Sequence, residues 1–181
     1  MSFYKNKYLI ETTRLRGYDY SSAGMYFVTI CTKSMICYFG EIKNGEMCLN
    51  DIGSIVAGEW QRTPEIRPNI DLDEWIVMPN HIHGIIVIKD SVETPRRGVS
   101  TTWKPNSLGS IVNQIKSVST KRIHSAGYQE FAWQPRFYDH IIRNERERER
   151  IRTYIRNNPT KWEKEKFETD ANCFLENGFR A

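Results

Sequence analysis

The stretch that most constrains this chain runs Trp75-Ile76-Val77-Met78-Pro79-Asn80-His81-Ile82-His83-Gly84-Ile85-Ile86-Val87-Ile88. Two apolar runs flank a short polar interruption at Pro79-Asn80. The second run is rich in β-branched residues and reads as a buried strand. On a strand, residues i and i+2 share a face, so His81 and His83 project together while Ile82 turns the other way. Two convergent neutral imidazoles make half of a metal site. A lone His on an apolar strand is most often a satisfied core residue. Two on one face, in a chain with four His in all, are a metal-site candidate. The pair does not choose a chemistry, because such ligands serve zinc enzymes, oxygenases and nucleases alike.

With 181 residues the chain is long enough for one domain with its own core. No apolar window approaches the roughly 18 residues of a membrane span. Met1-Ser2-Phe3-Tyr4-Lys5 carries no apolar signal core. The expectation is a cytoplasmic protein with no membrane partner. Cys31, Cys37, Cys48 and Cys173 form no CxxC pair and read as reduced thiols. A net charge of +4 is a mild pointer to a polyanionic partner. Its distribution says more: from Arg136 to Arg156 there are seven Arg against four acids.

Residues 1–24 are polar and basic, with Lys5, Lys7, Arg14 and Arg16 ahead of Gly17-Tyr18-Asp19-Tyr20. They read as an N-terminal basic arm, either free for phosphate contact and base stacking or tucked onto the domain. Met25–Thr32 predicts a strand. Asn44-Gly45 predicts a hairpin between Ile36–Ile42 and Glu46–Leu49. Asn50 or Asp51 caps a helix over Ile52–Arg62, which Pro64 and Pro68 close. Ile70–Met78 and the His strand follow. Residues 89–106 read as a polar loop. Ser107 caps a helix over Leu108–Ile123, Phe131–Ile142 is extended, and Asn144-Glu145-Arg146-Glu147 looks like a capping box opening a helix to about Asn157. Strands and helices in this order fit an antiparallel sheet with helices mainly on one face, an α+β fold. The expected division is an arm at 1–24, a catalytic domain at 25–162 and a tail at 163–181.

The last helix supplies what the His pair lacks. Ile151, Tyr154, Ile155, Asn158 and Trp162 fall on one helical face, the one a helix buries. Tyr154 and Asn158 are one turn apart on that face, and buried polar groups need partners. The plain alternative is a packed tyrosine ring and an Asn capping the helix before Pro159.

These residues resemble a known family. His81-Ile82-His83, followed far downstream by Tyr154-Ile155-Arg156-Asn157-Asn158-Pro159, looks like the HUH single-tyrosine transposases, and most like their REP-associated tyrosine transposase branch. Similar stretches are Gly17-Tyr18-Asp19-Tyr20, Tyr26–Thr32, Met78–Gly84, and Trp133-Gln134 through Phe137–His140. The resemblance covers about residues 10–162. It implies a ferredoxin-like antiparallel sheet with a C-terminal helix carrying the tyrosine. It implies that His81 and His83 bind a divalent metal and that Tyr154 is the nucleophile; by ligand type Mg or Mn is the expected ion, with zinc compatible as well. Insertion-sequence relatives carry Gln one turn after the tyrosine as a further ligand. Here that position is Asn158, one methylene shorter, as the REP-associated branch tends to have.

The resemblance further implies a nickase-ligase acting on single-stranded or hairpin DNA through a 5′-phosphotyrosine. A phenol is mostly protonated at neutral pH, so the metal or a base must assist; His140 is a candidate by residue type alone. Arg14, Arg16, Lys116, Lys121 and Arg122 are candidate phosphate contacts. The Arg/Glu alternation at 145–150 reads instead as a salt-bridged solvent face. Helix exchange in the insertion-sequence relatives implies a homodimer. Two other readings are a hairpin-DNA-binding protein without mobilising activity, and a metal-dependent phosphoesterase using water.

Overall fold

In the computed structural model the residues described are 3–4, 7–8, 15, 17–90 and 106–177, with backbone alone at 3–4, 7–8 and 165–177. Arg14, Arg16 and most of the loop at 89–106 lie outside them. Ahead of the domain, β1 (Phe3–Tyr4) and β2 (Lys7–Tyr8) form a short antiparallel pair.

The central sheet has four antiparallel strands: β3 (Gly24–Cys31), β6 (Ile70–Met78), β7 (His81–Ile88) and β8 (Tyr138–Ile142). Their order is β6-β7-β3-β8. α1 (Asp51–Gln61) lies between β3 and β6 in the chain, and α3 (Leu108–Ser125) between β7 and β8. This is the βαββαβ arrangement of ferredoxin-like folds, as the resemblance implied.

Period-two alternation sorts the two faces of the sheet. Tyr26, Val28 and Ile30 of β3, with Ile82, Ile86 and Ile88 of β7, face α1 and α3 and pack with Val56, Trp60, Ile111 and Ile115. The opposite face carries a smaller apolar cluster, in which Phe27, Ile85 and Ile142 meet Ile155 of α4 (Glu145–Asn177). Among the described residues, helices therefore cover both faces, with α4 alone on the second. Gly84 is fixed by this packing. A Cβ there would sit 2.3 Å from Trp60 Cζ2, and Trp60 is fully buried.

Local signals set most boundaries. The Asn50 side chain accepts from Gly53 N at 2.9 Å, and Ser107 Oγ accepts from Ser110 N at 3.3 Å. Asn44 and Gly45, at φ 54° and 75°, turn the hairpin of β4 (Gly40–Lys43) and β5 (Glu46–Leu49), as a type I′ turn requires. Asn144 accepts from Glu147 N at 2.9 Å, but the Glu147 carboxylate reaches Arg143 N and not the Asn144 N–H of a capping box.

Several expectations need correcting. Pro64 opens a short helix, α2 (Thr63–Ile66), instead of ending one; proline is tolerated in a first turn. The extended segment from Phe131 pairs regularly only from Tyr138, after one isolated bridge between Thr32 and Trp133. Of the two readings of the arm, the tucked one holds at its described end: Tyr18 and Tyr20 are docked on Tyr26, with ring centroids 6.4 and 6.1 Å away, and Tyr18 Oη lies 3.3 Å from Tyr26 Oη. The last helix passes through Pro159 and runs to Asn177.

Candidate metal and nucleophile site

β7 presents His81 and His83 to the face covered by α4, both nearly buried. Their Nε2 atoms are 3.0 Å apart. The antiparallel register sets Cys31 opposite His81 and Thr29 opposite His83, and Thr29 Oγ1 lies 2.9 Å from His83 Nδ1. His81 Nδ1 lies 2.7 Å from Asn80 Oδ1. Phe27 stacks beside His83 at a 5.4 Å centroid distance. Burial lowers the His81 pKa to about 4; burial, and then the neighbouring His81, lower His83 to about 3. Both imidazoles are therefore neutral at physiological pH, the form that binds metal.

From α4, Tyr154 Oη comes within 3.3 Å of His83 Nε2. The helical stripe predicted Tyr154 buried. It is 44% exposed, on the flank of the stripe, while Ile155 is fully buried and Asn158 is 8% exposed. A cavity of about 270 Å³ is lined by His81, His83, Tyr154 and Asn158, with Thr29, Met35 and Trp162 at its walls. Among the described residues the Asn158 side chain makes no hydrogen bond, although it is buried beside the cavity.

These residues fit a divalent cation. Two nitrogen ligands at about 2.1 Å, subtending a right angle, stand about 3 Å apart, which matches the imidazole separation. The unpartnered Asn158 amide offers an oxygen at the same cavity. No cluster of three His, Cys, Asp or Glu exists among the described residues; the donors gathered at the cavity include two imidazoles and an amide, a set that by ligand type suits Mn, Mg or Zn.

The helix is held by groups the sequence reading passed over. β6 is irregular between Leu72 and Trp75, and there Asp73 accepts from Arg148 Nε at 2.6 Å and from Arg152 Nε at 3.0 Å. Burial alone would raise the Asp73 pKa; the hydrogen bonds from Arg152 and Arg148 outweigh it and hold the carboxyl below the usual range. Arg156 pairs with Glu74 at 3.0 Å. The Arg-rich run is thus salt-bridged, as expected, but partly to the sheet and not only along its solvent face. The signal was present as Asp71-Leu72-Asp73-Glu74, an acidic strand in a chain whose last helix is rich in Arg.

The other candidates lie elsewhere. Lys116 donates to Gln134 O at 2.6 Å and Arg136 O at 3.0 Å, and burial lowers its pKa to about 8. Arg122 pairs with Glu59, which is nearly buried. Both are committed to structural partners, whereas Lys121 is exposed on α3. His140 is held by Glu147 at 2.9 Å, a structural pairing.

A βαββαβ sheet with two same-face imidazoles and a facing helix tyrosine is the architecture expected of a single-tyrosine transposase. The chain is 38% identical over 173 residues to an uncharacterized protein of Haemophilus influenzae, covering 88% of this chain and 93% of the relative. It is 30% identical over 95 residues to the REP-associated tyrosine transposase of Escherichia coli, a match spanning 52% of this chain and 47% of the relative. A solved REP-associated tyrosine transposase, bound to a REP hairpin, shares the fold with a TM-score of 0.54 and 23% identity, covering 83% of this chain and 74% of the other. No family model matches. Over about half its length in sequence, and in its fold, the chain is similar to the REP-associated tyrosine transposases. No helix among the described residues is long and apolar enough to cross a membrane.

Proposed function

We propose that this protein is a DNA-binding transposase of the single-tyrosine type, a metal-dependent nickase-ligase for single-stranded or hairpin DNA. One observation carries the reading: the Tyr154 hydroxyl lies 3.3 Å from an imidazole pair whose Nε2 atoms are 3.0 Å apart. His81, His83 and Asn158 would hold a divalent cation, Mg or Mn by ligand type. The cation would polarise a non-bridging phosphate oxygen and offset charge in the transition state.

Tyr154 Oη attacks phosphorus in line. The new O–P bond replaces the bond to the leaving 3′ oxygen, which departs as a 3′-OH, while the phenol gives up its proton. The 5′-phosphotyrosine keeps the phosphodiester bond energy, so a second 3′-OH can reverse the step and rejoin strands without ATP. His83 does not take that proton, because its Nε2 would be engaged by the cation. Exposure of Tyr154 suits the task, since a phosphate must reach it from solvent. The homodimer implied by the insertion-sequence relatives is not needed to assemble these groups, because Tyr154 and both imidazoles meet within one chain. Light scattering should then find a species near 21.3 kDa that is active alone.

The test is incubation with labelled single-stranded hairpins from the protein's own genomic flanks, with and without Mn²⁺, on a denaturing gel. A protein–DNA adduct that needs both Mn²⁺ and Tyr154 supports the reading. Cleavage with no adduct would make water the nucleophile and the protein a phosphoesterase. Hairpin binding with no cleavage would leave a binding protein.

A further inference from the structure

Hydrogen bonding around the two imidazoles fixes where their protons sit. Asn80 is nearly buried. Its Nδ2 donates to Met35 O at 2.9 Å, so its Oδ1 is the end that faces His81 Nδ1 at 2.7 Å. An amide oxygen can only accept. His81 therefore carries its proton on Nδ1 and turns a lone pair at Nε2 towards the cavity.

His83 Nε2 stands 3.0 Å from that lone pair. Two facing lone pairs at this distance repel, so without a cation the proton of His83 sits on Nε2 and bridges the pair. His83 Nδ1 is then an acceptor, and the Thr29 hydroxyl, 2.9 Å away, donates to it. A cation between the rings needs both lone pairs. The His83 proton must then move to Nδ1, where Thr29 Oγ1 is the one hydrogen-bond partner among the described residues. A hydroxyl can donate or accept, and Thr29 makes no other side-chain hydrogen bond among those residues.

We infer that Thr29 is a positioning residue for the metal: its hydroxyl reverses from donor to acceptor and so lets His83 exchange its Nε2–H tautomer for the metal-binding one. Asn80 needs no such reversal, since it holds His81 in the ligating tautomer throughout. The inference rests on the metal reading proposed above. It divides the pair into one ligand that is ready in advance and one that must convert. No proton is gained or lost; one shifts between the two nitrogens of a single ring through exchange with solvent. A ring N–H polarised by a bound cation is a stronger donor than the hydroxyl of Thr29, so loss of the acceptor weakens the loaded state more than the empty one.

The experiment is Mn²⁺ titration, followed by the electron paramagnetic resonance of free Mn²⁺, of wild type, Thr29→Val and Thr29→Ser. Valine keeps the shape and removes the hydroxyl, and should weaken binding by about 10- to 100-fold, the usual effect of losing a partner behind a metal-bound His. Serine should bind within about threefold of wild type. In parallel, ¹⁵N imidazole spectra of the wild type should show His83 protonated on Nε2 without metal and on Nδ1 with Mg²⁺, with His81 on Nδ1 in both. These spectra decide the question even where a variant folds poorly. Equal affinity of the Val variant and wild type, or metal-free His83 protonated on Nδ1, would overturn the role of Thr29 while leaving the site standing. Failure of wild type to bind either cation would instead overturn the metal reading itself.

Discussion

Asp73 on the irregular stretch of β6 grips Arg152 on α4, with Arg152 Nη2 2.9 Å from Asp73 Oδ1. Arg152 lies two residues before Tyr154. The sheet that carries the imidazoles therefore also sets the axial position of the helix that carries the hydroxyl. Asp73→Asn keeps the shape and removes the charge that both arginines share. It should lower adduct yield more than it lowers the melting temperature, because the Phe27–Ile85–Ile155 cluster still holds the helix on the sheet. Adduct formation at the wild-type rate would show that the clamp does not place the tyrosine.

Tyr154→Phe removes one oxygen and keeps the ring, which meets Phe27 edge-on at a 6.1 Å centroid distance. Unfolding free energy should change by no more than about 0.5 kcal/mol, the range of ordinary surface substitutions. Covalent adduct and strand cleavage should vanish, and hairpin affinity should stay within about threefold. An adduct that survives denaturation in the Phe variant would move the nucleophile elsewhere.

Protons compete with a cation only where an imidazole is basic enough to take them. An exposed His begins to protonate near pH 6.5. Burial lowers His81 to about 4, and burial with the neighbouring His81 lowers His83 to about 3. Mn²⁺ affinity should therefore stay level from about pH 7.5 to about 5.5 and fail only as pH approaches 4. The same shift acts on folding with a definite sign. Below about pH 6.5 the unfolded chain binds protons at these positions and the folded chain does not, so the metal-free protein loses stability as pH falls. A tenfold loss of affinity between pH 7 and pH 6 would show that the rings titrate as if exposed.

Gly84→Ala should destabilise by about 1–3 kcal/mol or more, the cost of overpacking a filled core. The added methyl would meet the fully buried Trp60 ring at 2.3 Å, with Trp75 Cβ at 3.0 Å behind it. Urea denaturation measures the loss. Gly84→Ala combined with Trp60→Phe should recover part of it, since the smaller ring frees the space.

The features legible in the sequence were those coded by neighbours along the chain. Alternation in β3 and β7 and the caps at Asn50 and Ser107 are local, and so is the Asn44-Gly45 turn. The strand period puts His81 and His83 on one face and the helix period puts Asn158 on the buried one, but it also expects Tyr154 buried, and the roles proposed for all four come from the family resemblance. What the sequence reading missed depends on contacts across the fold. Pro159 weakens a helix locally, yet α4 continues through it, with the sheet gripping its first turns through Asp73 and Glu74. Next to the proline, the β4–β5 turn at Gly45 lies against Thr160. Lys116 and Arg122 looked like free cations because no local pattern reveals Gln134 O, Arg136 O or Glu59 as their partners. Thr29 gave no signal by itself; only the β3–β7 register puts it behind His83.

Strand β7 writes two instructions into eight residues: odd positions carry the imidazoles and then the apolar contacts under α4, and even positions fill the larger core. A single inserted or deleted residue in it would exchange them. The isoleucines would line the cavity and the imidazoles would be driven against Trp60. Substitutions can adjust either set separately, but length changes damage both at once. Among homologous chains, insertions and deletions should therefore accumulate in the loops around this strand and spare the strand itself, however far the remaining sequence drifts.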